Sequence, residues 1–188
     1  MPDFKFSCLA KAVTSAFFFV LMAGWSHAQN TSPDFSLTVE ASPAVVVENA
    51  MTYRFYVNMM EAGDRMSAVF GNSTKPLVVE VPEGAFNALE NGSWSAVGLT
   101  PGLFSMFPEL QDDTYATVGL TGPASLSGLV DAADPQMAVD AAQPGVQAFF
   151  TSNGNDELRA DSEIGTVWFV LNDASNAFPD ESMRVLIM

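Results

Sequence analysis

The chain has 188 residues, 22 of them acidic and 7 basic, for a formal net charge of −15. A surface this acidic repels nucleic-acid phosphates and anionic lipid headgroups, which argues against both as partners. It holds one cysteine, Cys8, and one histidine, His27, and their position near the start limits the available chemistry.

Residues 1–28 read as a secretory signal peptide. Lys5 and Lys11 give a positive start, Ala12 to Trp25 is uncharged and apolar, and Ser26 and Ala28 are small residues suited to a signal peptidase. The apolar run matches the ~7–15 residues of a signal sequence rather than the ~20 of a membrane span. Cleavage after Ala28 is the expectation, and no later segment approaches spanning length. Cys8 and His27 depart with the leader. The mature chain then has no Cys or His nucleophile or base, no Ser-His-Asp triad, no zinc site of ordinary ligands and no disulfide. The leader holds Lys5, Lys11 and Asp3, a net +1, so the mature part carries −16. About 160 residues suit one domain with a core large enough to fold without covalent staples.

From Phe35 onward the apolar pattern is mostly of period two. In Thr52–Met59, Tyr53, Phe55, Val57 and Met59 point one way, while Arg54, Tyr56 and Asn58 point the other, as in a strand with one buried face. Gly63-Asp64 then reads as a turn, with Met66–Gly71 returning as the partner strand of a hairpin. Other expected strands are Phe35–Ala41, Ala44–Glu48, Leu77–Val81, Thr114–Leu120, Gln147–Thr151, Thr166–Leu171 and Met183–Met188. Thr166–Leu171 is apolar on both faces and reads as central. Turn residues such as Lys75-Pro76, Asn91-Gly92 and Asn153-Gly154 separate the runs. Many short strands with little helical periodicity predict an all-β, antiparallel β-sandwich, Ig-like or jelly-roll-like, with one or two short helices in long loops.

Two segments break the pattern. Thr100 is placed to cap a short helix beginning at Pro101, with Pro108 ending it. Residues 123–145, rich in Ala, Asp, Gly and Pro, form a long loop insertion in which Asp134-Pro135 starts one or two helical turns through Ala142. RVLIM, at Arg184–Met188, reads as an apolar strand without a polar tail. It gives the expectation of a longer molecule with a C-terminal anchor or sorting segment.

Candidate sites are few. Asn153, Asn155, Asp156 and Glu157 form an oxygen-rich turn with some ligand types of a calcium loop, though not EF-hand spacing. Asp112 and Asp113 are adjacent, so on a strand they face opposite sides and cannot form the carboxylate pair of a glycoside hydrolase with each other. Trp94, Tyr56 and Tyr115 are candidates for exposed rings that stack on sugars. Arg54 and Arg65 lie within the expected hairpin; among so many carboxylates Arg54 is expected to form a structural ion pair rather than to grip an anion.

TYRFYV, SAVFGN, PELQDDTYATVGL, GTVWFVLN and RVLI together resemble a domain of secreted, often large and surface-attached, proteins of marine bacteria. The resemblance spans most of the mature chain and brings no catalytic motif and no site residues. It implies a secreted, surface-associated, β-rich domain, and the architecture is loosely similar to cohesin-like and carbohydrate-binding sandwiches. The resulting expectation is a secreted acidic module with a structural or binding role at the cell surface or in extracellular matrix, with a glycan or other surface proteins as partner. No cofactor is expected beyond calcium. A carboxylate-dependent glycoside hydrolase is the alternative from another class.

Overall fold

A computed structural model describes residues 35–143 and 145–188. The expected signal peptide lies outside the described residues. Among the described residues, eight strands form three small antiparallel sheets. In the first, β1 (Ser36–Pro43) and β2 (Met51–Asn58) pair along their whole length, with Val39 opposite Phe55 and Glu40 opposite Arg54. β8 (Arg184–Leu186) takes the other edge of β2. The second sheet runs β3 (Ala68–Gly71), β7 (Thr166–Phe169), β5 (Gln136–Ala138), and the third pairs β4 (Leu77–Glu80) with β6 (Glu157–Ala160).

The hairpin expected between β2 and Met66–Gly71 does not form. The turn itself exists, with the Asp64 carboxylate accepting the N–H groups of Met60 and Glu61 at 3.0 and 2.9 Å. The chain then leaves β2, because Phe55 exchanges backbone bonds with Met188 and Ile187 at the edge the hairpin needed. β3 pairs with β7 instead. β7 is the central strand of its sheet, as its composition implied, with Thr166 and Trp168 buried and Val167 and Phe169 half-buried.

Five local expectations are also corrected. Ala44–Glu48 is a bent connection rather than a strand, because the successive N–H groups of Val45, Val46 and Val47 all turn to the Asp112 carboxylate and cannot serve a ladder. Gln147–Thr151 lies largely in a short helix, α1 (Gly145–Phe149). Its buried Val146, Phe149 and Phe150 are spaced i, i+3, i+4, which is helical spacing. The helix expected after Asp134-Pro135 is strand β5, and Thr114–Leu120 makes one bridge, Ser95 with Ala116, although Thr117 and Gly119 donate to Ile187 and Leu186 alongside β8. Thr100 precedes a 3-10 turn at Pro101–Leu103 without a side-chain cap, and Pro108 opens a second at Pro108–Asp112.

The main core gathers side chains from all three sheets and α1. Phe150 lies edge-on to Phe149 and Trp168, with ring centroids 5.2 and 5.8 Å apart. Trp168 is 2% exposed, and its indole N–H donates to the Thr117 carbonyl at 3.1 Å, so the ring fills the core with its polar atom satisfied. A smaller cluster, Ala88, Ala96, Leu99 and Leu110, carries Phe86, Phe104, Phe107 and Tyr115 on its flank. The space between these two bodies positions the site.

Candidate functional site: a cleft closed by two adjacent aspartates

A cleft of about 1100 Å³ opens where the first half of β2 meets three connections: Ala44–Ala50, Val81–Phe86 and Gln111–Tyr115. Each wall has a local cause. The first connection must reverse the chain between β1 and β2; Asn49 takes φ 62° to do so, and Ala44 N–H bonds to the Ala50 carbonyl at 3.0 Å. The second leaves β4 through Pro82-Glu83-Gly84, with Gly84 at φ 84°. The third follows the 3-10 turn at Pro108–Asp112 and brings two carboxylates to the junction.

Asp112 and Asp113 stand at the end of a 3-10 turn rather than on a strand, and their carboxylates reach different segments. Asp112 Oδ1 accepts Val45 N–H at 2.6 Å, and Oδ2 accepts Val46 and Val47 at 2.6 and 2.9 Å. Three successive amides around one carboxylate form an anion nest, built here from the chain itself. Asp113 Oδ1 accepts Ala88 N–H and Oδ2 accepts the Asn91 amide, both at 2.6 Å. Burial pushes its carboxyl up to about 6, and the two donors offset this only in part. Tyr115 lines the same wall; burial raises its phenol to about 12 against the opposing pull of the nearby Arg54 charge, so it stays neutral at physiological pH.

Arg54 also lines the cleft, donating to Ser42 Oγ at 3.4 Å. Its expected ion pair is not formed among the described residues. The carboxylate directly across the strand pair, Glu40, is bound by Arg184 instead. Aromatic surface comes from Tyr53, Phe86 and Tyr115, and hydrogen-bonding capacity from Gln111 and Asn153, with Glu80 and Glu83 beside them.

Comparison with known family models, curated proteins and solved structures finds no match.

Of the residues picked out as ring platforms, the cleft contains Tyr115 alone. Trp94 is half-buried against the main core, and the ring of Tyr56 is covered by the Arg184 guanidinium, 4.0 Å from its centroid. In the turn proposed for calcium, Asn153 Oδ1 accepts Asn87 N–H at 2.6 Å, Asn155 donates to the carbonyls of Ala148 and Ser152, and Glu157 pairs with Arg159. Among the described residues, no group of three or more His, Cys, Asp or Glu side chains gathers to hold a metal ion. No helix of the described residues is long and apolar enough to cross a membrane. Sequence reasoning missed Tyr53, Phe86 and Gln111. Tyr53 sat on the strand face assigned to the core, and only the missing cover beyond Val39, which is 40% exposed, opens that face to the cleft.

Proposed function

We propose that the protein is a secreted binding module of the cell surface or extracellular matrix, that its architecture is a reduced, Ig-like or jelly-roll-like sandwich about the Trp168 core, and that the cleft takes a glycan. The reading rests on one observation: a cleft of about 1100 Å³ in which Tyr53, Phe86 and Tyr115 supply ring surface beside amide and carboxylate groups. Sugars present C–H faces to rings and hydroxyls to amides and carboxylates, so this lining suits them. Exchange between a few rings and many hydroxyls also suits a site without a cofactor. Binding to immobilised polysaccharides tests it. Gln111→Ala should weaken retention at least tenfold with the melt preserved, Tyr53→Ala should weaken it as much while also lowering the melt because the ring packs on the core, and Trp94→Phe, outside the cleft, should leave retention unchanged. Retention indifferent to both cleft variants would overturn the assignment.

A second reading, the carboxylate-dependent glycoside hydrolase, is favoured by Asp113, whose carboxyl is raised to about 6 at the cleft wall, a useful range for a general acid. Against it, both Asp113 oxygens already accept hydrogen bonds that shape the wall. Release of reducing ends from a polysaccharide, abolished in Asp113→Asn, would establish turnover.

A further inference from the structure

We infer that Arg54 anchors an acidic group of the ligand, which makes the preferred ligand of the cleft a uronate-bearing glycan. The inference rests on the cleft being a glycan site and narrows the class of sugar.

The other arginines of the described residues are each engaged elsewhere, two of them by carboxylates. Arg159 is held between Glu157 and Asp161, and Arg184 between Glu40 and Asp180. Arg65 lies over the Phe178 ring, 4.8 Å from its centroid, and donates to the Asn172 carbonyl at 2.9 Å. Arg54 lines a cleft, and its bond is a long one to a neutral hydroxyl.

Neither Asp112 nor Asp113, both in the cleft lining, forms an ion pair with it. Asp112 spends its oxygens on three backbone amides, and Asp113 spends its own on Ala88 and Asn91. The neighbouring Tyr115 is a neutral phenol. In a chain of net charge −15, an arginine that faces a cleft with no counter-ion among the described residues is a conspicuous place for one.

A planar guanidinium matches a carboxylate fork to fork, with two parallel N–H···O bonds. The remaining acidic residues restrict what that anion can be. Glu80 and Glu83 line the same cleft, so a dianionic phosphate or a densely sulfated chain meets repulsion, whereas a sugar with one carboxylate meets Arg54 and offers its hydroxyls to the glutamates.

Titration calorimetry with two oligosaccharides that each carry a single uronate, one galacturonate and one glucuronate, each beside its carboxyl-reduced neutral form, tests this with the full chain. The wild type should bind at least one acid form tenfold or more tightly than the reduced form, and that advantage should shrink in 0.5 M salt. Arg54→Gln should remove the advantage while leaving binding of the neutral form and the melting temperature unchanged, and Arg54→Lys should keep part of it. Equal binding of acid and neutral forms, with Tyr53→Ala abolishing both, would overturn the acidic anchor and leave the glycan reading standing. Binding of neither form overturns both readings.

Discussion

Replacing Asp113 by Asn makes a buried carboxyl incapable of titration, and the consequence can be worked from the structure. The folded protein raises this group from 3.8 to about 6, with burial the main cause. It therefore binds a proton more tightly folded than unfolded, and protonation favours the folded state. The stabilisation is fully present below pH 3.8 and is lost as pH rises through about 6. A shift of this size corresponds to about 3 kcal/mol, at ~1.4 kcal/mol per pH unit. With 7% exposure, little solvent screening reduces it. The Asn variant lacks that loss, so its stability relative to wild type should climb by about 3 kcal/mol between pH 3.5 and 7, or ~6–12 °C in melting temperature for a domain of this size. The absolute difference at one pH also contains the changed hydrogen bond to Asn91, but its change with pH does not. Circular-dichroism melts of both proteins at half-unit intervals measure it, and the subtraction removes the other carboxylates from the comparison. A difference that stays flat, or falls, as pH rises would refute the buried, proton-retaining Asp113.

Asp112→Ala strips the acceptor from three amides, two of them on the exposed residues Val45 and Val46, where water can substitute in part. A loss of about 2–3 kcal/mol is expected, near 1 kcal/mol per bond, and a urea titration showing less than ~1 kcal/mol would count against the nest as a stabilising tie. Arg54→Ala should change stability by less than about 0.5 kcal/mol, since no ion pair is broken; a loss above ~1 kcal/mol in the same titration would restore it as an electrostatic tie. Gly119 has φ 68°, and a Cβ there would sit 2.1 Å from the Asn176 carbonyl oxygen. Gly119→Ala should cost at least about 2 kcal/mol from backbone strain and clash, while Gly63→Ala, with nothing within 4 Å, serves as the unaffected control in parallel melts.

What could be read from the sequence was what local pattern encodes. β1, β2, β4, β7 and β8 announce themselves by alternation or β-branched runs, and their bounds fall within three residues of those expected. Pairing was less legible. Met66–Gly71 follows β2 closely, but the edge it would need goes to Ile187 and Met188, more than 130 residues away. Ala44–Glu48 has the composition of a strand, and what prevents one is a carboxylate 65–67 residues further on. In α1, five residues are too few for periods of 2 and 3.6 to separate, and β6 hid behind Glu157 and Arg159, whose charges mask the buried Leu158 and Ala160. The site followed the same division. Tyr115 and Arg54 could be named because each is chemically conspicuous, but the cleft itself is made by segments from three distant parts of the chain.

The position of β8 has a kinetic consequence. β1 and β2 are joined by seven residues, 44–50, and can pair early, but β8 reaches β2 only from the far end, and the Arg184–Glu40 pair spans 144 positions. Closing such long loops makes folding slow, because the entropy of the intervening chain is surrendered before the contacts form. During synthesis the second edge of β2 stays open until residues 184–188 have emerged, and an open apolar edge is where chains pair wrongly with one another. Substitutions such as Val185→Lys should then reveal themselves first as a poor yield of soluble protein, before any defect in what has folded can be measured.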